Sequence, residues 1–432
     1  MAIVYEQPEA GSIVPAPRGG PADAGLSPAE RRQERKSLRQ RKLIAFALVS
    51  PLLAFIFFSF VAPIATMLYR SVYNPDIALL IPRTTASLQS WDRHSEPSTE
   101  MLNILALELA ELARTRKAGV LAAAVNRSWP GASSLVNASA RRLRSEDAGV
   151  LAQSGGAQLL ALDARWRQPD LWRAIRQVGL VYTDTYYLTA LDLERTPDDR
   201  IQARSSARIY LQLYGKTLGL ALTITLLCIM LGYPLAYYLA HAPRKLASIL
   251  MIFVLLPFWT SLLVRTTAWI ALLQTNGVIN SVLQWLGIIA EPLEILYTSD
   301  ATVIAMTHIL LPFMVLPLYS VMRGLDPSYV RAALSLGSRP LGAFMRIFLP
   351  LSLPGLSAGT LLVFIISVGY YITPALVGGT DGQMISNLIA FHMQQSSNWG
   401  LAAALGTLLL ILILALYWIY DRLIGASNIK LG

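Results

Sequence analysis

Cysteine is almost absent from this chain of 432 residues, and charged side chains are scarce. The single cysteine, Cys228, lies in an apolar segment, which excludes an intrachain disulfide or a cysteine metal cluster. The four histidines are scattered and predict no zinc site. Charged residues make up 14% of the chain and hydrophobic residues 54%, whereas soluble domains carry about 25% charge. This composition argues against a soluble domain, a disordered chain and a disulfide scaffold.

Long uncharged stretches predict six transmembrane helices. A helix needs about 20 apolar residues to cross a bilayer, and six segments come close to or exceed that length. The third resumes after Arg265 and continues to residue 273, and the fifth is placed beyond Pro350 and Pro354. The predicted helices are residues 43–69, 217–240, 246–264, 301–322, 355–377 and 401–420. The predicted fold class is therefore an all-α integral membrane protein.

The distribution of charge predicts the orientation of these helices. Residues 1–42 contain eight Lys/Arg and five Asp/Glu and are interpreted as a largely disordered basic leader, followed by helix 1 over 43–70. Basic residues just before a span indicate a cytoplasmic N-terminus, and six helices return the C-terminus to the same side. The loop 323–350 is then cytoplasmic, within a membrane domain over 209–432. The predicted outer loops 274–300 and 378–400 contain no Lys or Arg.

Residues 71–208 separate helices 1 and 2 and contain seventeen basic and fifteen acidic side chains. Such a region predicts an extracytoplasmic insertion, because long loops are translocated regardless of their charge. Leucines at three- and four-residue spacing predict a helix over 101–125, with Ser98 or Thr99 as its N-cap. Further helices are predicted over 133–147 and 169–180. The insertion is expected to be mostly helical, and it carries no catalytic signature.

The loop 326–350 has the strongest local signals. Asp326 can cap a helix whose first position suits Pro327, and Gly337 suits a left-handed helix end. A second short helix is predicted to end at Pro350. The pattern is helix, glycine, helix. Such an amphipathic element either lies on lipid headgroups or docks into the groove of a partner protein, and the physical pattern leaves both open.

Seven positions of this loop follow a characteristic order: Arg331, Ala332, Ala333, Gly337, Phe344, Ile347 and Pro350. Their spacing resembles the Glu-Ala-Ala loop of permease subunits of type I ABC importers, with Arg331 where that family usually has glutamate. Residues 256–269 and 367–389 are similar to segments of the spermidine/putrescine permeases within that family. Tyr370 stands where many of those permeases have an acid. The resemblance covers helix 1 and about 209–432.

This resemblance implies half of a translocation pathway in the bacterial inner membrane, with both termini cytoplasmic. The implied solute is a polyamine or a related amine. The alternatives are another small solute, amino-acid-like or opine-like, and an ion-coupled secondary transporter. The implied partners are two cytoplasmic ATPase subunits, a second and different permease, an extracytoplasmic solute-binding protein and membrane lipid, but no nucleic acid. The chain lacks the GxxxxGK[ST] phosphate loop, so hydrolysis of ATP is not expected of it. ATP and Mg are therefore assigned to the ATPase. The chain is expected to be a transport subunit, not an enzyme, and to bind no cofactor.

Arg265 is the one charge well inside a predicted span. An intramembrane charge either serves a pathway or pairs structurally within the bundle, and both interpretations remain open. Aromatic side chains could offer faces to a cationic solute or form the interfacial aromatic belt. A proline in the fifth helix could mark a gate or a simple helix end. The predicted pathway candidates are Arg265, Trp259, Trp269, Tyr370, Tyr371 and Pro374.

Overall fold

The computed structural model of the protein describes residues 28–196, 200–204 and 208–424. The chain divides into two units, with the boundary after Thr66. In the first unit, helix α1 passes without interruption into a π-helical segment and then into the start of helix α2. The bounds are α1 Pro28–Ile56, π-helix Phe57–Val61 and α2 Ala62–Arg70. Gln40–Arg70 is long and apolar enough to cross a membrane, in agreement with the first predicted span.

The prediction of a largely disordered leader is wrong for residues 28–42, which form the first part of α1. This segment is rich in Arg, Glu, Gln, Lys and Leu, all of which have high helix propensity. It also continues directly into the apolar span, so no separate nucleation is needed. Residues 1–27, the rest of the predicted leader, lie outside the described part of the chain.

The insertion between α2 and the next long helix is mostly helical, as predicted. Its core contains the buried side chains of Trp166, Trp172 and Leu105. One short antiparallel hairpin pairs Leu193 with Ala203. The elements are α3 Asp76–Leu80, α4 Pro82–Gln89, α5 Thr99–Arg114, α6 Ala118–Ser128, α7 Ala132–Leu143, α8 Ala148–Leu162, a 3-10 turn Ala164–Arg167, α9 Pro169–Val178, α10 Thr185–Ala190, β1 Leu193–Arg195 and β2 Ile201–Ala203.

The predicted helix over 101–125 is two helices, α5 and α6. Ser98 caps α5 by accepting a hydrogen bond from the Met101 amide at 3.2 Å, as expected. The helix ends because Arg116 adopts a positive φ of 60°, which reverses the chain. The break permits both helices to bury an apolar face in the same core.

The remainder of the chain forms the membrane bundle. Helices α11, α15 and α18 share one apolar core, in which glycines allow close packing. A Cβ atom at Gly232 or Gly359 would lie within 3 Å of Met314. The helices are α11 Tyr210–His241, α12 Arg244–Trp259, α13 Leu262–Leu273, α14 Val278–Trp285, α15 Ser299–Gly324, α16 Ser328–Ser335, α17 Pro340–Ala343 followed by a π-helix Phe344–Phe348, α18 Leu349–Gly369, α19 Ile372–Val377, α20 Ile385–Gln394 and α21 Trp399–Ile424.

Five helices in the described residues are long and apolar enough to span a membrane, and a bent pair raises the number to six. The pair is Arg244–Trp259 with Leu262–Trp285, bent by 101°. The predicted third helix, which runs past Arg265 to residue 273, is therefore two helices and not one. Pro257 lies in the last turn of α12, and the Ser261 hydroxyl caps a new helix by accepting from the Val264 amide at 3.2 Å.

The fifth span also departs from its predicted bounds of 355–377. It extends over Pro340–Gly369, so it begins earlier and ends before Tyr370. The prediction that Pro350 closes a short helix is wrong, because this proline lies near the start of α18 within the continuous segment. The π-helical turn immediately before α18 has a wider backbone, which accommodates the proline ring without ending the helix.

Candidate coupling loop and translocation pathway

Helix α16 is held at both ends by local hydrogen bonds. At its start, the Asp326 carboxylate accepts from the Ser328 amide at 2.8 Å. At its end, Gly337 has a φ of +86°, which confirms the predicted left-handed conformation. The amides of Ser338 and Gly337 donate to the carbonyls of Ala333 and Leu334, both at 3.0 Å, in a Schellman arrangement. The glycine therefore sets the angle at which the chain leaves α16.

An aromatic cluster lies beneath the loop, where α11 ends. Tyr237 meets Phe344 and Phe348 edge-on, with ring centroids 5.7 and 5.1 Å apart. Phe344 stacks on Phe348 at 5.8 Å, and His241 lies 5.5 Å from Phe348. A cleft of about 340 Å³ separates this cluster from α16. Beside the cleft, Val330 of α16 and Phe344 pack against the same apolar core, which connects α16 to the cluster.

Much of the loop is exposed and partly apolar. No residue of α16 is buried; Arg331 and Ala332 are exposed and Ala333 is half-buried. Exposed apolar side chains continue beyond the helix: Leu336, Leu341 and Met345, at 89%, 69% and 52% exposure. An apolar ridge of this kind suits a protein partner better than water.

The predicted loop residues thus separate into two groups. Arg331, Ala332, Ala333 and Gly337 belong to α16 and its end. Phe344, Ile347 and Pro350 lie in the helix that follows, where Phe344 joins the aromatic cluster and Ile347 is half-buried.

Arg265 lies in the first turn of α13, directly after the bend in the third span. Its Nη2 atom donates to the carbonyl of Thr260 at 3.0 Å. Its Nε atom is buried and has no hydrogen-bond partner within the described residues. The bend therefore orients a guanidinium that retains unused hydrogen-bonding capacity inside the bundle.

Trp269 lies one turn further along α13 and donates from its ring Nε1 to Nδ1 of His308, at 3.2 Å. Sequence reasoning missed His308, which is 39 residues away and lies on α15. Its position on the face of α15 that meets α13 depends on tertiary packing, and no local signal indicates it. Trp259, another predicted residue, is 71% exposed at the end of α12.

The backbone break after α18 brings Tyr370 and Tyr371 into contact with α20. The Ser386 hydroxyl donates to the Tyr370 carbonyl at 2.6 Å, and the side-chain Nδ2 of Asn387 donates to the Tyr371 carbonyl at 2.7 Å. The Ser386 hydroxyl thus satisfies a carbonyl that the break removes from the helix, whereas the Tyr371 carbonyl also accepts from the Ala375 amide of α19 at 3.0 Å. Pro374 is buried in the short helix that follows the break, α19.

Helices α13 and α19 meet through buried hydroxyls. The Oγ1 atoms of Thr266 and Thr373 lie 3.2 Å apart. This contact joins the helix that carries Arg265 and Trp269 to the helix that carries Pro374. The structure thus brings most of the predicted pathway residues onto neighbouring elements.

An ion pair joins three elements at the side of the bundle next to the insertion. Lys216 Nζ lies 3.0 Å from Asp381 Oδ1, and the Ser299 hydroxyl and amide donate to Asp381 Oδ2 at 2.7 and 3.0 Å. Hydrogen bonds from Ser299, together with Lys216, hold the pKa of the Asp381 carboxyl at about 2. The carboxylate thus fixes the loop after α19 to the starts of α11 and α15.

None of these arrangements resembles a catalytic centre. The described residues contain no group of three or more His, Cys, Asp or Glu side chains that could hold a metal ion. The chemistry present is that of a membrane bundle with one bent span, a backbone break after the fifth span, one partly unsatisfied cation and an exposed, partly apolar loop.

Comparisons with known proteins place this bundle in a family. A family profile described as "Binding-protein-dependent transport system inner membrane component" matches residues 205–425. The spermidine/putrescine transport system permease protein PotB of Escherichia coli K12 is 39% identical over 197 residues, covering 45% of this chain and 72% of that protein. The inner membrane ABC transporter permease protein YdcU of the same strain is 34% identical over 210 residues, covering 45% and 66%.

A solved bacterial ABC transporter involved in import of the acidic polysaccharide alginate aligns at 15% identity and a TM-score of 0.44, covering 70% of this chain and 98% of that chain. The family profile and the similarity to PotB carry the assignment. The chain belongs to the binding-protein-dependent transport system inner membrane components, the non-enzymatic, multi-pass permease subunits of ABC importers.

Proposed function

We propose that this permease imports a polyamine, such as spermidine or putrescine, or a closely related amine. The observation that carries the proposal is the 39% identity to a permease named for spermidine/putrescine transport. The family match over 205–425 includes the bent third span and the break after the fifth span. Segments 256–269 and 367–389 within it are similar to the same subgroup. The solute is therefore inferred from relatives.

The pathway candidates are compatible with an amine cation. The rings of Trp269 and Tyr370 can present their faces to an ammonium group. Backbone carbonyls around the fifth-span break offer further acceptors. The described spans contain Asp and Glu only close to their ends, so aromatic faces and carbonyls would replace a carboxylate as the recognition chemistry. Arg265 would then act as a gate that repels a bound cation, and release of solute would accompany its movement.

One observation favours the alternative of a small solute that carries a carboxylate. Arg265 has a buried Nε without a described partner, and Tyr370 replaces the acid found in many polyamine permeases. An amino-acid-like or opine-like compound would pair its carboxylate with this guanidinium. Its ammonium group would still meet the aromatic side chains.

Energy for import is proposed to enter through the loop 326–350. Helix α16 docks into the groove of a cytoplasmic ATPase, and its apolar ridge provides the docking surface. ATP and Mg bind to the ATPase pair and not to this chain. Closure of the ATPase dimer moves α16, and the aromatic cluster under it transmits the movement to α11 and α18.

The remaining parts of the proposal follow from this orientation. Both termini and the loop 326–350 are cytoplasmic, and the insertion over 71–208 is extracytoplasmic. A solute-binding protein delivers solute on the insertion side. A second permease, a different chain, completes the pathway.

The test is uptake of radiolabelled solute by proteoliposomes that contain the complete transporter and its binding protein. We expect ATP-dependent uptake of spermidine or putrescine that excess unlabelled polyamine abolishes. Excess arginine and octopine serve as competitors for the carboxylate-bearing class. Uptake of an amino-acid-like compound without any polyamine uptake would overturn the proposed solute and favour the alternative.

A further inference from the structure

A cleft of about 290 Å³ lies where the insertion meets the membrane bundle. One wall comes from α6, α9 and α10 of the insertion. The other comes from the start of α11 and the connection between α20 and α21. The cleft is distinct from the pathway candidates and from the loop 326–350. No part of the proposed transport function uses it.

The walls of the cleft are held in place by packing and hydrogen bonds. Ala190 at the end of α10 shares a buried core with Tyr210 and Leu401 of the bundle. The Tyr186 ring packs against Gly400 so closely that an added Cβ would lie 2.3 Å from it. Its hydroxyl accepts from the Asn74 side chain at 2.7 Å. The two sides therefore form one preorganised surface.

Two arginines line this cleft, Arg127 from α6 and Arg204 from the segment after β2. No carboxylate is found among the described residues that line it. The nearby carboxylate of Asp192 is directed at backbone amides instead, accepting from Tyr210 and Leu211 at 3.3 and 2.8 Å. Two guanidinium groups that share a concave site favour an anion between them.

Neutral polar groups complete the lining. His392 Nε2 lies 3.4 Å from the Tyr210 hydroxyl, and its Nδ1 lies 3.0 Å from the Ser396 hydroxyl. Burial, with a contribution from Arg127, lowers the pKa of His392, so the ring is neutral at neutral pH. The side chain of Asn398 also faces the cleft. Hydroxyl, amide and imidazole groups around two arginines form a donor set that suits the oxygens of an oxyanion.

We propose that this cleft binds an oxyanion of the phosphate type, either free phosphate or the phosphate of an anionic lipid headgroup. The anion would bridge Arg127 of the insertion, Arg204 of the connecting segment and the polar side chains that follow α20. Occupancy would stabilise the insertion against the connection that follows the broken fifth span. A ligand bound there would shift the bundle toward the conformation in which these parts are joined.

The test measures binding by the full-length chain in its assembled transporter, purified in detergent. Inorganic phosphate is titrated at constant ionic strength against chloride, and thermal stability is recorded. We expect saturable stabilisation by phosphate, with apparent affinity reduced about tenfold or more in Arg127→Gln and in Arg204→Gln. Arg142→Gln, which removes an exposed arginine of α7 outside the cleft, should bind as the parent chain does.

A second experiment, in lipid bilayers, identifies the source of the anion. The same variants are placed in nanodiscs of phosphatidylcholine with or without phosphatidylglycerol, and co-purified anionic lipid is quantified. Selective loss of phosphatidylglycerol from both Gln variants assigns the site to a headgroup, and a phosphate response alone assigns it to a free anion.

Arg127→Lys and Arg204→Lys provide folded variants that keep the positive charge. They lose the planar guanidinium, which donates two parallel hydrogen bonds, so we expect anion binding to weaken less than in the Gln variants. The proposal is overturned if the parent chain binds neither probe, or if all four variants bind like the parent. The readout requires no transport and is independent of the solute.

Discussion

At the scale of single residues, Arg265 combines a charge with unused hydrogen-bonding capacity inside the bundle. A guanidinium has five N–H donors, and one donates to the Thr260 carbonyl while the buried Nε has no partner in the described part of the chain. A buried unsatisfied donor costs about 1–3 kcal/mol, so its retention at this position suggests a use in another conformation or with solute.

We predict that Arg265→Ala lowers uptake by about tenfold or more, while the amount of protein in the membrane changes little. Arg265→Lys should retain part of the activity, because it keeps the charge without the planar fork. Initial uptake rate and steady-state membrane level are measured on the same preparations. Unchanged uptake by a well-expressed Ala variant would contradict a role of Arg265 in the pathway. Equal loss of uptake and of membrane level would favour structural pairing within the bundle.

His392 gives a pH dependence whose sign follows from its burial. Its α20 helix is outside the predicted spans, and burial followed by Arg127 lowers its pKa from the ordinary value near 6.5. The folded chain therefore binds this proton less tightly than the unfolded chain does. The contribution to stability is present above about pH 6.5 and is lost as the pH falls through the folded-state pKa.

We predict that the melting temperature falls between pH 7.5 and pH 5.5, and that His392→Gln makes this decrease shallower. The control is Arg142→Gln, at an exposed position of the insertion, which should follow the parent chain. Melting curves at several pH values decide the matter. A steeper decrease in the His392 variant than in the parent would contradict a lowered pKa in the folded chain.

At the scale of elements, hydrophobic length predicted the existence of the spans but not their continuity. The second, fourth and sixth spans agree with prediction because each is one long apolar helix between polar ends. The third bends because Ser261 caps a new helix in the middle of an apolar segment, where a lone serine gives little warning. The fifth passes through Pro350 because of a π-helical turn, a feature without a sequence signature.

The same distinction applies to the candidate site. The left-handed Gly337 was predictable because backbone strain is a local property. His308 and the donors Ser386 and Asn387 were not, because their partners are distant in sequence and only the packed bundle brings them together.

We predict that Asn387→Ala destabilises the assembled transporter by about 1–3 kcal/mol. The Asn387 side chain donates to the Tyr371 carbonyl and accepts from the Met384 amide at 3.0 Å. Its removal leaves the buried Met384 amide unsatisfied beside the fifth-span break, whereas the Tyr371 carbonyl still accepts from the Ala375 amide at 3.0 Å. Gln395→Ala, at an exposed position just after the same helix, is the control, because no side-chain bond to the break is lost with it. Denaturation midpoints are compared in one detergent. Equal midpoints for both variants would show that the break does not depend on this bridge.

At the scale of the whole molecule, the insertion stands outside the family match. The match begins at residue 205, whereas the helical core of the insertion is built from α3 to α9. This chain therefore adds a separately packed helical layer to a permease. The proposed delivery of solute on the insertion side depends on the outward location of that layer.

We predict that a membrane-impermeant thiol reagent labels Ser134→Cys, but not Ser335→Cys, in intact cells. Ser134 is exposed on α7, and Ser335 is the exposed last residue of α16. The native Cys228 is buried and should contribute little background. Permeabilised cells provide the control, in which both cysteines should react. Labelling of the second variant alone would reverse the proposed orientation.

The measurement that tests the central claim most directly is spermidine-stimulated ATP hydrolysis by the reconstituted complex with its binding protein. The critical variant is Gly337→Val. A β-branched residue at a φ of +86° costs about 1–2 kcal/mol and changes the angle at which the chain leaves α16, although no atom lies within 4 Å of the added Cβ. The control is Gly324→Val, at the end of α15, which has similar space and no positive φ. We expect spermidine to stimulate hydrolysis in the parent and the Gly324 variant, and the stimulation to be largely lost in the Gly337 variant, with all three chains present in the membrane. Full stimulation in the Gly337 variant would contradict coupling through this loop, and absence of stimulation in the parent would contradict the solute.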